Sequence, residues 1–254
     1  MKQRVYIQAS ASYSEIQEKR PSSNRDLDRI SQMCIQTVER VSAAAQIQDR
    51  NVPLFVGTAY GCLASLYEFN HVYESEGALR VNPSLFPNAV LNAPACRTGI
   101  SFQIQEPMYT ISNGRSSGID TLELAYLYIA HNEIREAMVC LVEEDSQIAR
   151  KIAGHSVSEG FFAFHLQTEK GKVEIKETSY VFELQEIQRD SDQQAADTMA
   201  FCTLIHEFVS DWEPKDGSSR CLCLERKRIA LERVQFIECR ESGGNACVQT
   251  RRSL

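Results

Sequence analysis

The chain has 254 residues, 43% hydrophobic and 24% charged, enough for a buried core and ordinary for a folded globular protein. Its net charge of −7, with the basic residues scattered, excludes a nucleic-acid role built on a cationic face. No run approaches the roughly 18–20 apolar residues of a membrane span, and MKQRVYIQAS has no apolar leader segment, so a cytoplasmic protein without membrane contact is expected.

In chain order, Val5-Tyr6-Ile7 reads as a first strand. Asn24 or Asp26 is placed to cap a helix whose Leu27, Ile30, Cys34, Val38 and Val41 form one apolar stripe. Pro53 to Val56 is a buried strand ending at Gly57-Thr58, and Gly61 opens a helix with Leu63, Leu66 and Phe69 on its face. Pro83 to Phe102 alternates short helical pieces with prolines, and Asn92 there is expected to bond backbone in a loop. A strand over Tyr109 to Ser112 leads into a helix over Ile119 to Ala130, which stops near Asn132. Ala137 to Val142 is a continuous apolar run, hence a strand covered on both faces.

Strands follow at Phe161 to Leu166 and Val173 to Leu184, then a helix over Ala196 to Val209. Arg220 to Leu224 and Val234 to Cys239 read as terminal strands, with Arg251-Arg252 as a frayed tail. Strands alternating with helices predict an α/β fold with a mixed sheet and helices on its faces. The polar stretch Gln185 to Gln194 is the expected internal boundary, dividing a core over 1–184 from a remainder over 185–254. Nine cysteines, an odd number, read as reduced and largely buried thiols. Cys221 and Cys223 share one strand face, a poor spacing for zinc, so no metal is expected.

The segment TISNGRSSGIDTLELA, Thr110 to Ala125, is a strand, a tight turn of small residues and a helix. Gly114 to Gly118 spells G-x-S-x-G, the pattern of a nucleophile elbow centred on Ser116. A serine hydrolase would complete a triad with Asp145 and one of His155, His165 or His206. No HGGG-type oxyanion loop precedes it, and a pentapeptide alone is weak evidence.

A longer run of motifs points elsewhere. Gly57-Thr58-Ala59-Tyr60-Gly61-Cys62 resembles the GT-x-x-G turn of β-ketoacyl synthases, the thiolase-fold condensing enzymes. In VNPSLFPNAVLNAPACRTGISF, Pro83, Phe86, Pro87, Asn92 and Ala95 match another segment of that family. Pro107 matches the proline before the nucleophile strand, and Val157-Ser158-Glu159-Gly160-Phe161 is similar to its GEG segment. Counted from Pro107, the family's catalytic cysteine falls on Arg115. A guanidinium stays protonated and has no lone pair with which to attack a thioester. The family's HGT and GH histidines have no counterpart either: His206 is the one histidine after Leu166.

The resemblance implies a thiolase-like α/β fold with a shortened C-terminal half. It also implies the role of a chain-length factor, a non-catalytic subunit that pairs with an active ketosynthase and shapes its acyl tunnel. Ser117-Gly118-Ile119-Asp120 matches the segment after the lost cysteine in such subunits. Catalytic residues are then none, with Ser116 as the fallback nucleophile. Val81, Asn82, Phe86, Phe102, Thr110, Ser112, Arg115 and Ser116 are the implied tunnel or interface residues. Phe86 and Phe102 read first as core residues. Arg115 has two open roles, an ion pair with a partner or a plug in the tunnel. The implied partners are a catalytic ketosynthase and an acyl carrier protein, whose phosphopantetheine would be met through the partner; a homodimer is also possible. The apolar faces of the Tyr109 to Ser112 strand and the following helix are expected to need a partner's cover.

Overall fold

The computed structural model describes residues 2–12, 27–114, 116–154, 157–178, 198–210, 218–227, 230–242 and 246–253. Asn24, Asp26, Arg115, His155 and the Gln185 to Gln194 boundary lie outside them. The strands are β1 (Val5–Ser12), β2 (Leu54–Gly57), β3 (Met108–Ile111), β4 (Glu136–Glu143), β5 (Gly160–Gln167), β6 (Val173–Thr178), β7 (Ser218–Lys227), β8 (Ala230–Ser242) and β9 (Ala246–Ser253). The helices are α1 (Arg29–Ala44), α2 (Leu63–Glu76), α3 (Ala93–Phe102), α4 (Ser117–Ala130), α5 (Gln147–Ala153) and α6 (Thr198–Ser210). The nine strands of the described residues form one mixed sheet in the order β3-β2-β4-β5-β1-β6-β7-β8-β9.

Alternation along the strands sends neighbouring side chains to opposite faces. Leu54 and Val56 of β2, Met138, Cys140 and Val142 of β4, and Phe161 and Ala163 of β5 meet α1 and α3 on one face. Phe55, Val139, Leu141, Phe162, Phe164 and Leu166 meet α4 and α6 on the other. The result is three layers, helices on both sides of the sheet. The run expected as a doubly covered strand is β4, in which Ala137 to Val142 are all buried.

β1 changes faces partway along. Val5 and Ile7 join the α4 side, whereas Ala9 and Ala11 join the α1 side. Simple alternation would keep all four together. The register against β5 shifts between Ile7 and Ala9, and this bulge inserts the extra residue that turns the strand over.

Several expectations are corrected. Leu27 precedes α1, whose N-cap is Asp28. Gly61 holds a left-handed turn (φ +46°), and α2 begins at Leu63 with no buried residue at all. The helix packs on the two 3-10 turns at Ala78–Arg80 and Pro83–Asn88 and on α5, away from the core of the sheet. The strand expected to end at Ser112 ends at Ile111. Asn92 is the N-cap of α3, and its amide donates to Cys96 Sγ (3.4 Å) in place of backbone. Arg251 and Arg252 are not a frayed tail: they lie in β9, opposite Ile237 and Phe236 of β8. The apolar face of α4 needs no partner, since Cys202, Ile205 and Val209 of α6 pack into the same core as its Leu122, Ala125 and Ile129.

Candidate functional site

β2, β3 and β4 run parallel, so the segments that follow them converge at the carboxyl ends of these strands, where open α/β sheets place their ligands. After β3 the chain turns through Ser112 to Ser116 into α4. Gly114 adopts φ +57°, a left-handed conformation open to glycine at no steric cost. Asn113 N–H donates to Ser117 Oγ (2.9 Å), and Ser117 Oγ donates to the Gly114 carbonyl (2.6 Å). Asp120, in the first turn of α4, accepts from Asn113 Nδ2 (2.7 Å) and Ser116 Oγ (2.8 Å) through the same oxygen. A carboxylate at a helix start also complements the helix dipole. The single Ser116 hydroxyl proton is shared between Asp120 and the Asn113 carbonyl (2.9 Å).

The turn after β2 is wrapped around a buried carboxylate. Glu143, at the end of β4, accepts from Ala59 N–H (2.7 Å), Tyr60 N–H (3.0 Å) and Thr58 Oγ1 (3.1 Å). Thr58 Oγ1 in turn accepts from Gly61 N–H (2.8 Å), so the threonine and second glycine of GT-x-x-G close one hydrogen-bonded loop. Burial raises the Glu143 pKa, and the donated hydrogen bonds work against the rise. Gly57 sits where a Cβ would meet Thr121 Oγ1, Leu141 Cδ2 at 2.8 Å and the Ser117 carbonyl at 3.0 Å. Only glycine lets α4 start this close to β2. Thr58 N–H donates to the Ile111 carbonyl (3.1 Å) and ties the two turns together.

Beyond β4, Arg29 forms a bidentate pair with Glu159, with contacts of 2.5 and 2.8 Å, and lies 3.5 Å from Glu144. The pair draws the Glu159 pKa down. Burial raises those of Glu144 and Asp28. Arg29, Asp28 and Glu144 border a cavity of about 400 Å³ that is also lined by Phe69, Val81, Asn82 and Leu85.

The expected site residues do not gather at one point. Val81 and Asn82 line the cavity, and the Asn82 carboxamide caps the 3-10 turn by accepting from Ser84 N–H (3.0 Å). Phe86 is neither core nor cavity wall: it is 57% exposed with its ring against Phe69, because α2 leaves this lobe off the sheet. Phe102 is half-buried against the α1-side core, under the Arg50 guanidinium. Thr110 is half-buried on β3, and Ser112 beyond it donates to the Ala59 carbonyl (3.4 Å).

The expected triad is not assembled among the described residues. Ser116 bonds Asp120, Asp145 is held by Arg150 (2.6 and 2.7 Å), His165 meets Glu136 (2.9 Å), and His206 meets Ser10 (2.9 Å). Sequence reasoning missed Glu143 and the pairing of Ser116 with Asp120. The signal for the first was the acidic pair ending an apolar strand, and for the second the i, i+4 spacing.

The family model described as "Beta-ketoacyl synthase, N-terminal domain" matches residues 2–161. Among curated proteins no match is found. The chain is similar to the ishigamide ketosynthase/chain length factor, with a TM-score of 0.53, 20% identity, 60% of this chain and 47% of that chain covered. It is also similar to the ketosynthase ApeO in complex with its chain length factor ApeC from Xenorhabdus doucetiae (TM-score 0.52, 15% identity, 65% and 79% covered). A third similar structure is a type II polyketide synthase acyl-carrier protein in complex with its ketosynthase (TM-score 0.58, 13% identity, 66% and 64% covered). The chain thus spans 47% of the length of the first of these, and at such identities the likeness speaks for a thiolase-like ketosynthase fold. The matched region takes in the GT-x-x-G turn, the β3 turn and the start of β5, and through it the chain belongs to the β-ketoacyl synthase family.

Proposed function

We propose that the chain is a non-catalytic ketosynthase-like subunit of the chain-length-factor type, which pairs with an active β-ketoacyl synthase and shapes its acyl tunnel. The observation that carries this reading is the turn after β3. Strand, left-handed glycine and helix start are all present, yet the position that the resemblance gives to the nucleophile holds Arg115, and the neighbouring Ser116 hydroxyl is committed to Asp120 and Asn113. A turn kept without its nucleophile serves architecture, in this case the placement of β3.

β3 ends the sheet, with β2 on one side and no strand among the described residues on the other. Met108 on β3 and Ile100 on α3 are exposed beside that edge. Unpaired strand edges invite pairing with another chain, and exposed apolar residues beside one favour it. Two of the similar structures are described as pairing a ketosynthase with a chain length factor, which supports the same direction. An acyl carrier protein would deliver its phosphopantetheine arm through the catalytic partner. In this reading residues 185–254 are a shortened C-terminal half completing the same domain.

The test is co-expression with candidate ketosynthases, sizing of the complex and mass spectrometry of the acyl products. A stable heterodimer whose product length shifts with Arg115→Glu is expected. A homodimer that ignores every ketosynthase would favour a stand-alone scaffold, and a monomer would end the pairing model.

A further inference from the structure

The bulge in β1 has a chemical consequence on the α6 side of the sheet. Past it, Ala9 and Ala11 turn toward α1, and Ser10 meets α6. Its Oγ lies 2.9 Å from His206 Nδ1. Ser210, one turn further along α6, places its Oγ 3.1 Å from the same nitrogen and 3.2 Å from Ser10 Oγ. The imidazole ring lies against Phe162, with ring centroids 6.1 Å apart. Ser10 and His206 are half-buried and Ser210 is exposed, so a small molecule can reach the cluster from solvent. Bulges recur beside active sites because they re-aim one side chain out of the regular pleat.

We propose that Ser10 and His206 form a nucleophile–base pair, separate from the β3 turn, that accepts an acyl group from a small ester or thioester. The hydroxyl–imidazole distance falls within the reach that an activated serine requires, and a third group, here Ser210, lies within bonding distance of both. In the tautomer this chemistry needs, Nε2 keeps the ring proton and Nδ1 accepts from Ser10. Ser10 Oγ attacks the carbonyl carbon while its proton passes to Nδ1. The tetrahedral intermediate collapses with loss of the alkoxide or thiolate, which takes up that proton, and an O-acyl serine remains. Water returns the serine by the same steps and releases the carboxylic acid. Ser210 can donate to Ser10 Oγ across 3.2 Å, which leaves Nδ1 to the Ser10 proton.

The experiment uses the full chain with two probes, a fluorophosphonate and S-acetyl-N-acetylcysteamine, read by intact mass and peptide mapping. One label per chain on Ser10 is expected, lost in Ser10→Ala and slowed about 100-fold in His206→Gln, the lower range for removal of a general base. Reaction with the fluorophosphonate but not the thioester shows a nucleophilic serine that accepts no acyl group, and overturns the proposal. Circular dichroism checks that each variant is folded. If Ser10→Ala does not fold, Ser10→Cys serves in its place, and its alkylation by iodoacetamide should slow by a similar factor when His206→Gln is added. No label on Ser10 in the unaltered protein, or equal labelling rates with and without His206, overturns the proposal.

Discussion

From the end of β4, Glu143 holds the turn after β2 in shape. Its two oxygens accept from two backbone amides and one hydroxyl of the turn after β2. Glu143→Ala leaves the buried Thr58 hydroxyl and two half-buried amides without this acceptor, a loss of up to about 1–3 kcal/mol for a fully buried group before relaxation. Chemical denaturation should therefore show a destabilisation of at least about 2 kcal/mol. Glu143→Gln is milder, because one oxygen survives while the new amide faces the Ala59 N–H. The pH dependence separates charge from shape. Burial raises the Glu143 pKa above its ordinary 4.5, so the native state holds this proton more tightly than the unfolded chain does. Its contribution is greatest below the ordinary value and declines as pH rises through the raised one. Melting curves of the unaltered protein should fall relative to those of Glu143→Gln as pH increases from 4.5 upward. A gap independent of pH would show that the carboxyl group titrates alike in both states.

Among the elements, what could be read from the sequence was local, and what could not was long-range. The strand, turn and helix around Ser116 were legible because the apolar run, the small residues and the first-turn acid are neighbours in the chain. The partners of Glu143 lie about 85 residues away, and no local pattern announces them. The same holds for β1, whose alternation looks regular until its register against β5 reveals the bulge. α2 misled in the opposite sense, since its apolar spacing promises a core face and the fold gives it none. Even the start of α4 depends on a distant residue, Gly57. Gly57→Ala would push a methyl group against Thr121, Leu141 and the Ser117 carbonyl, and overpacking of this kind costs about 1–3 kcal/mol. The expected outcome is a lower melting temperature and faster amide exchange at the first turn of α4, with the α1 side unaffected. Exchange unchanged at α4 would mean that β2 yields and that the close approach does not position the turn.

Among the described residues, helices cover both faces of the sheet over β1 to β5, and the exposed large apolar side chains are concentrated on α2, the 3-10 turns, α3 and β3. Ile100 is 73% exposed and Met108 40% exposed, close to the terminal strand. A groove lined by Cys96, Gly99, Ile100, Gln103, Ile104 and Met108 runs between α3 and that strand. Single exposed apolar residues are ordinary, but a groove of them beside a strand paired on one side only is the surface that the proposed partner would cover. The two parts separate experimentally. Ile100→Asp and Met108→Asp replace exposed side chains, so the isolated chain should keep its stability within about 0.5 kcal/mol. In the complex each would bury a carboxylate without a partner, a loss of several kcal/mol that exceeds what most contacts there can offset. Association with the cognate ketosynthase, followed by sizing and by a titration of one chain into the other, should weaken at least about 100-fold, some 2.7 kcal/mol. Phe86→Asp, on the lobe beside α2, serves as the comparison. If Phe86→Asp alone disrupts the complex, the partner docks on the lobe and the β3 edge is not its seat. If Ile100→Asp and Met108→Asp disrupt it and Phe86→Asp does not, pairing runs through β3.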